Sequence, residues 1–302
     1  MRTWRWVLSL LAVAWVITVA AYAITLAQTP GAPEAVPAPG PGQVSVSINP
    51  VSFTPDSGTM VVSLRIVADT AALDAQGGLV NPVGISIEPV VENGFILLAK
   101  GAVPTTIQRT VQLAGSVRNY PFDRFSSPVV IAAAQSVDNA WQPLQVQGGF
   151  TQALVSNWEL QATADTANAA DLALADDADA GQVLAAGNSA LVLDTSLRRQ
   201  TPNVGLSLAL LALMAALAVL ALLSVRAVAD GRRKQEMTMT SWFAALIFAM
   251  LPIRLALPGA PPMGAWIDIL VTFWVFIVLM VALAWWVIVW LRGVQVKEKD
   301  TA

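Results

Sequence analysis

Four apolar stretches, each close to the length of a membrane-crossing helix, constrain this sequence more than any other feature. They cover residues 7–27, 204–225, 241–257 and 267–291. A helix needs about 20 mostly apolar residues to cross about 30 Å of hydrocarbon. The composition agrees, because 56% of the residues are hydrophobic and only 12% are charged, against about 25% charged in an average soluble domain. We therefore predict a multi-pass membrane protein, with the lipid bilayer as its first partner.

The first apolar stretch has two interpretations. Residues 1–27 fit a transmembrane anchor, and Ala21-Tyr22-Ala23 within them resembles a signal-peptide cleavage site. A cleaved signal peptide has an apolar core of about 7–15 residues, and the run here is longer. The sequence therefore favours the uncleaved anchor, with a signal peptide as the alternative.

The last two apolar stretches are joined by a short loop, residues 258–264, that reads PGAPPMG. Two adjacent prolines and two glycines predict a turn between antiparallel helices. Together with the stretch at 204–225, this predicts a three-helix transmembrane domain over residues 204–292. Residues 293–302 follow it as a cytoplasmic tail.

The basic residues predict the orientation. They cluster before the first stretch, between the second and third, and after the fourth, so all three clusters fall on one side if the stretches alternate. The positive-inside rule places that side, with both termini, in the cytoplasm. Residues 28–203, with 15 acidic and 7 basic residues, are then extracytoplasmic. The clustered residues are Arg2, Arg5, Arg226, Arg232, Arg233, Lys234, Arg292, Lys297 and Lys299.

The predicted outer region begins with a linker and continues as strands. Residues 28–42 contain five prolines and three glycines, which is typical of a semi-extended linker. From Gln43 the apolar residues alternate, which indicates half-buried strands. Short strands separated by turns predict an antiparallel β-sandwich over residues 43–203. The predicted strands cover residues 44–48, 61–67, 83–91, 94–99, 107–113, 129–135, 141–150, 154–162 and 190–197. The predicted turns are Asn49-Pro50, Asp56-Ser57-Gly58, Gly77-Gly78, Asn93-Gly94 and Gly148-Gly149.

An acidic, alanine-rich stretch at residues 164–187 interrupts the strand pattern. Its aspartates raise the possibility of a calcium loop, but the EF-hand spacing with glycine at position 6 and glutamate at position 12 is missing. We expect a solvated acidic loop and no metal site.

The composition also bears on chemistry. The chain has no cysteine and no histidine, which removes thiol nucleophiles, the Ser-His-Asp triad and most catalytic zinc sites. The net charge is −3, so nucleic acid is not an expected partner. We predict no catalytic site, no cofactor and no enzyme activity.

One motif in the outer region and two in the helices carry a family resemblance. The first is Tyr120-Pro121-Phe122-Asp123-Arg124-Phe125, the second is residues 242–254, and the third is the 258–264 loop with Asp268 and Phe273-Trp274. Over residues 44–280, the chain resembles the bacterial and fungal membrane proteins grouped as domain of unknown function 4436. It departs from that family at Phe125, where we expect tyrosine, and in its acidic insert. The resemblance implies a membrane protein and leaves the function open. Alanine richness and the excess of arginine over lysine suggest a bacterial source.

A weaker, loop-level likeness connects the same motif to pentameric ligand-gated channels. These channels carry a similar Tyr/Phe-Pro-Phe-Asp string in a β-sandwich, about 80 residues before the first pore helix. Here Asp123 precedes Val204 by 81 positions. The channels have four helices after the sandwich, whereas this chain has three, and its second stretch offers only Ser207 and Ser224 to line a pore. Fold-level likeness of this kind carries no function.

Two interpretations fit the YPFDRF segment. In the structural one it forms a corner: Tyr120 and Phe122 fill one end of the sandwich, and Asp123 pairs with Arg118 or Arg124 or caps backbone N–H groups. In the functional one it is a docking surface against the outer loops of the helices or against another protein. Pro121 belongs to the segment in both.

Arg254 lies inside the third apolar stretch, where an ionisable residue needs a partner. Asp268, just across the 258–264 loop, is the predicted partner. The pair then fixes the helix hairpin; Arg254 reaching outward to water, or an ion path, are the alternatives.

The sequence as a whole favours a non-enzymatic envelope scaffold or partner-binding protein, whose β-sandwich recognises another membrane or envelope protein. A channel or transporter subunit with an oligomeric pore is the alternative. The sequence leaves the oligomeric state open.

Overall fold

The computed structural model describes residues 36–103, 105–168, 189–233 and 236–299, with the side chains of 293–299 left out. The predicted anchor at residues 1–27 lies outside these ranges. The chain divides into two compact units. One, the β unit, contains the described residues up to Ser116 together with residues 124–200; the other, the helical unit, contains Val117–Asp123 and the residues from Thr201 onward.

Eleven strands make up the described part of the β unit. They are β1 (Gln43–Thr54), β2 (Thr59–Ala68), β3 (Val83–Glu88), β4 (Phe95–Leu98), β5 (Thr106–Gln112), β6 (Ala114–Gly115), β7 (Arg124–Val137), β8 (Ala140–Phe150), β9 (Leu154–Val155), β10 (Trp158–Asn168) and β11 (Ser189–Arg199). A β-rich domain followed by apolar helices confirms the predicted fold class.

The strands form a sandwich-like mixed sheet with the order β5-β2-β1-β8-β7-β11-β10-β9, and β3, β4 and β6 branch from it. Strand β7 is central, because it pairs with β3, β6, β8 and β11 along its length. Its middle residues, Ile131 to Ala134, are fully buried. Strand β8 joins the part of the sheet that contains β7 to the part that contains β1. Its first half pairs with β7 and its second half with β1.

The β1–β8 pairing is parallel, whereas the prediction was a wholly antiparallel sandwich. Gly148-Gly149, predicted as a turn, lies inside β8 in this pairing. A Cβ atom at Gly148 would lie 2.6 Å from the carbonyl oxygen of Val46 and 3.0 Å from a Leu191 methyl group. Glycine is therefore needed here for the close approach of β8 to β1 and not for a turn.

Other local predictions need correction. Asn49-Pro50 was predicted as a turn but lies inside β1, where the register with β2 shifts between Pro50 and Ser52. A bulge tolerates a proline that cannot donate to the ladder. The strand predicted at 154–162 is two strands, β9 and β10. Residues 164–168 of the predicted acidic loop belong to β10, and 169–187 lie outside the described residues. The hairpin at Asn93-Gly94 is present between β3 and β4, with residues 89–94 as its loop.

An aromatic cluster fills one part of the sandwich core. The ring of Phe53 in β1 lies 4.9 Å from that of Phe125 in β7 and 5.0 Å from that of Trp158 in β10, all edge to face. The guanidinium of Arg199 lies 4.7 Å from the Trp158 ring centre. Because these rings come from three strands, the cluster holds β1, β7 and β10 together by apolar burial and ring packing.

Three long helices make up most of the described helical unit. They are α1 (Thr201–Ala229), α2 (Thr238–Leu255) and α3 (Phe273–Lys299), and a π-helical turn, Asp268–Thr272, leads into α3. The three apolar segments are long and apolar enough to cross a membrane. They match the predicted stretches with shifted ends.

The helices pack through a heptad-like seam. The buried residues of α1 recur at alternating intervals of four and three, which is the spacing of left-handed helix packing. They are Ser207, Leu211, Met214, Ala218, Ala221, Val225 and Val228. Trp286 of α3 is buried against Phe243 of α2, and its indole N–H donates to the Thr240 hydroxyl at 3.0 Å. The helices thus contact one another through narrow stripes of buried residues.

Candidate functional site

The segment Val117–Asp123 belongs to the helical unit, although β6 and β7 on either side of it belong to the β unit. A short helical turn at Val117–Asn119 opens it, and the Phe122 N–H donates to the Asn119 carbonyl at 2.9 Å. This compact turn determines which side chains of the YPFDRF motif face the helices.

Tyr120 is the residue that the helices hold most closely. Its hydroxyl lies 2.6 Å from the Ser207 hydroxyl of α1 and donates to the Pro258 carbonyl at 3.0 Å. The Ser207 Oγ also lies 2.6 Å from the Asn203 carbonyl oxygen. Because a serine hydroxyl has one proton, Ser207 donates either to that carbonyl or to the Tyr120 hydroxyl. A buried phenol needs such partners. Tyr120 therefore links α1 with the loop between α2 and α3.

The apolar part of Tyr120 packs within a small cluster of helical residues, and only 2% of the residue is exposed. The cluster contains Leu211, Leu257, Ala265 and Ile267. The prediction that Tyr120 and Phe122 fill one end of the sandwich is therefore wrong. Tyr120 packs in the helical unit, Phe122 is 65% exposed, and Phe125 takes the place in the sandwich core.

The other motif residues occupy distinct environments. Pro121 and Asp123 are buried, and Arg124 begins β7 with an exposed side chain. Asp123 is only 1% exposed. The pairing of Asp123 with Arg118 or Arg124 stays a prediction.

Arg254 and Asp268 form a two-point ion pair. The Arg254 Nε donates to Asp268 Oδ1 at 3.1 Å and its Nη2 donates to Oδ2 at 2.8 Å. The Arg254 side chain is 7% exposed and that of Asp268 is 19% exposed. Two parallel hydrogen bonds between planar groups give the strongest and most directional kind of ion pair. Arg254 is thus turned into the protein and not outward to water.

The same pair also holds the loop between α2 and α3. Arg254 Nη2 donates to the Pro262 carbonyl at 3.1 Å, and the Gly264 N–H donates to Asp268 Oδ2 at 3.0 Å. Gly264 has a φ of +88°, a conformation that favours glycine. Both charges therefore have backbone partners in addition to each other, which is the arrangement that makes a buried pair tolerable.

Sequence reasoning missed five partners in these networks: Asn203, Ser207, Pro258, Pro262 and Gly264. One signal was available, since Ser207 is one of two hydroxyl residues in its apolar stretch, and such a residue needs a hydrogen-bond partner inside a helix bundle. The backbone partners carry no side-chain signal. Within the described ranges, no group of three or more acidic residues is placed to hold a metal ion.

A smaller polar contact lies in the β unit. Glu92, in the loop after β3, accepts from the Thr110 hydroxyl at 2.6 Å and from the Thr110 N–H at 3.0 Å. The hydroxyl bond is the larger cause and the N–H bond the second cause that hold the pKa of Glu92 below its ordinary value. This contact fastens the loop after β3 to β5.

Two family models match the chain. The one described as Domain of unknown function (DUF4436) matches residues 34–180, and the one described as Domain of unknown function (DUF8686) matches residues 199–293. The first match confirms the predicted family resemblance over residues 44–180. The rest of the predicted range lies outside it, and the two motifs in the helices lie within the second match, which has a different description. The curated proteins contain no match to this sequence.

Proposed function

We propose that this chain, whose residues 34–180 match the family model described as Domain of unknown function (DUF4436), is a non-enzymatic scaffold of the cell envelope. Its three apolar helices cross the cell membrane, and its β unit lies on the outer side. There the β unit binds another membrane or envelope protein.

The observation that carries this proposal is the hydrogen bonding of Tyr120. The chain passes between the β unit and the helical unit at Val117–Asp123 as well as at Gln200–Thr201. The hydrogen bonds of Tyr120 with Ser207 and Pro258 fasten the first of these segments to the rest of the helical unit. A β domain joined to membrane helices in this way suits the display of a binding surface at the membrane.

The arrangement of charge in the helices supports a structural function over a transport path. Arg254 and Asp268 bind each other and the loop backbone, so their charges are already satisfied. A conducting path in the membrane uses ionisable groups that remain available to the ion or proton. A channel or transporter subunit with an oligomeric pore remains the alternative function.

Single-cysteine variants test the proposed topology, since the natural chain has no cysteine to remove. Leu97 in β4 is 56% exposed and Met237, before α2, is 66% exposed. In intact spheroplasts, we expect Leu97→Cys to react with a membrane-impermeant maleimide and Met237→Cys to react only after lysis. The reverse pattern would overturn the orientation.

Crosslinking in native membranes tests the binding function. A photo-crosslinking amino acid at Leu97 in the β unit should capture a discrete envelope protein. The matched variant carries the same group at Met280, which is 54% exposed on α3 and should give lipid adducts instead. Electrical recording from the reconstituted protein decides the alternative, because a steady ion conductance would favour the channel and contradict the scaffold.

A further inference from the structure

Three large apolar side chains of the helical unit are exposed near the loop between α2 and α3. Phe122 is 65% exposed, Met263 is 83% exposed and Trp266 is 52% exposed. Single exposed apolar residues are common on soluble domains. These three differ, because they lie in Val117–Asp123 and in the loop between α2 and α3. The hydrogen bonds of Tyr120 and Arg254 hold these two segments.

The backbone around Met263 and around Phe122 is held by hydrogen bonds of neighbouring residues. Met263 lies between Pro262 and Gly264, which bond to Arg254 and Asp268 respectively. Phe122 follows Tyr120 by two residues, and Tyr120 donates to Pro258 in the same loop. These side chains are therefore exposed on a part of the helical unit whose backbone is held in place by hydrogen bonds.

The position of this surface indicates what covers it. The loop joins α2 to the segment that leads into α3, and both helices are long and apolar enough to cross a membrane. Apolar exposure continues into them, with Leu255 at the end of α2 59% exposed and Leu270 in the π-helical turn 65% exposed. In the proposed membrane arrangement, Met263 and Trp266 therefore lie where these helices leave the hydrocarbon, and Phe122 lies two residues from Tyr120, which bonds to the same loop.

The residue types fit the same environment. Tryptophan is enriched at the boundary between lipid headgroups and acyl chains. Phe122 and Met263 add apolar area that suits the upper acyl-chain region.

We propose that Phe122, Met263 and Trp266 form one membrane-interface surface, which inserts into the glycerol and upper acyl-chain region of the phospholipid leaflet nearest the α2–α3 loop. The inference rests on the proposed membrane insertion of the helices. It adds that the segment Val117–Asp123, from outside the three helices, enters the leaflet through Phe122.

Depth-dependent quenching in vesicles tests this surface with the full chain. Phe122→Cys and Met263→Cys are each labelled with an environment-sensitive fluorophore and reconstituted in phosphatidylcholine–phosphatidylglycerol vesicles. The vesicles carry nitroxide lipid labelled at the headgroup, near the glycerol end of the acyl chain, or near its methyl end. We expect the attached fluorophore to emit at a shorter wavelength than the free fluorophore in buffer. We also expect a greater loss of its intensity with the two shallow nitroxides than with the deep one.

Two further positions serve as controls. Labelled Leu97→Cys, which has similar exposure in the β unit, should be quenched by aqueous iodide and not by nitroxide lipid. Labelled Met280→Cys, at the middle of the apolar span Asp268–Arg292, should be quenched best by the deep nitroxide. Elution of each variant as the wild type in size-exclusion chromatography confirms its fold, and Met263→Cys supplies the answer if Phe122→Cys fails this check.

The outcomes are separable. If Met280→Cys responds to the deep nitroxide while Phe122→Cys and Met263→Cys respond like Leu97→Cys, the interface surface is wrong and the membrane proposal stands. If Met280→Cys shows no lipid quenching, the proposed membrane function itself fails. Emission at shorter wavelength at Phe122→Cys without lipid quenching would mean that a protein, and not lipid, covers this surface, and would also overturn the inference.

Discussion

Tyr120 in the helical unit and Phe125 in the β unit are five residues apart, and the two almost fully buried rings are held by different forces. Phe125 packs edge to face against Phe53 and Trp158 and makes its contacts through apolar area. Tyr120 is held by two hydrogen bonds to helical residues. In water, apolar burial drives a sandwich together. In the membrane that we propose for the helices, lipid is as apolar as the helices themselves, so polar contacts between helices gain importance.

The largest expected effect is in the β unit, where Trp158→Ala should remove the centre of the aromatic cluster. Trp158 is 3% exposed, and truncating such a residue leaves a cavity and commonly costs about 3–5 kcal/mol. We expect a large drop in the melting temperature of the β unit. Trp141→Ala is the matched control, since Trp141 is only partly buried. Equal losses from both variants would show that the cluster adds nothing beyond a surface tryptophan.

The corresponding change in the helical unit is Asp268→Ala, which leaves Arg254 buried without its carboxylate. Breaking a buried pair costs about 3–5 kcal/mol. In the proposed membrane arrangement we expect a smaller loss, because long side chains near the membrane surface can reach water. The fraction folded during titration with a denaturing detergent measures the loss, with Met280→Ala as the control. A wild-type midpoint for Asp268→Ala would contradict a structural role of the pair.

The charge swap sharpens this test. Arg254→Asp with Asp268→Arg restores opposite charges but turns a carboxylate toward the Pro262 carbonyl and a guanidinium toward the Gly264 N–H. We therefore expect the double variant to be more stable than either single variant and less stable than the wild type. Full recovery would mean that the loop contacts contribute little.

A smaller effect is expected for Tyr120→Phe, which keeps the ring and removes the hydroxyl. A hydrogen bond of this kind contributes about 0.5–1.5 kcal/mol. Ser207→Ala should cost a similar amount, and the double variant should cost less than the two together, because they share one bond. Additive losses in the same detergent titration would show that the two hydroxyls act independently.

The sequence predicted the features that rest on local pattern. Apolar length marked all three described long helices, and alternation marked most strands. The Arg254–Asp268 ion pair is present as expected because a charge in an apolar stretch leaves few partners. Whether the pair has any function beyond structure stays a prediction.

The sequence could not assign the features that rest on distant contacts. The aromatic character of Tyr120 and Phe125 predicts that both are buried, but it does not show that one packs on helices and the other in a sheet. The parallel β1–β8 pairing joins residues 102 positions apart, such as Gln43 and Gln145, and a glycine pair there resembles a turn. Backbone acceptors such as Pro258 leave no trace in the side chains.

The smallest expected effect concerns Glu92, whose hydrogen bonds with Thr110 contrast with the buried polar contacts of the helical unit because they face water. A lowered pKa in the folded state means that the contact stabilises the fold above the ordinary pKa of glutamate, and that this contribution is lost as the pH falls through the lowered value.

Thr110→Val removes the hydroxyl bond and keeps the backbone N–H bond, so the pKa of Glu92 should rise while staying below its ordinary value. The chain has six glutamates, so carboxyl-labelled NMR titration can follow Glu92, assigned with Glu92→Gln. Thr106→Val in the same strand is the control and should leave the titration unchanged. A Glu92 pKa that does not move in Thr110→Val would show that the hydroxyl bond is not formed in solution.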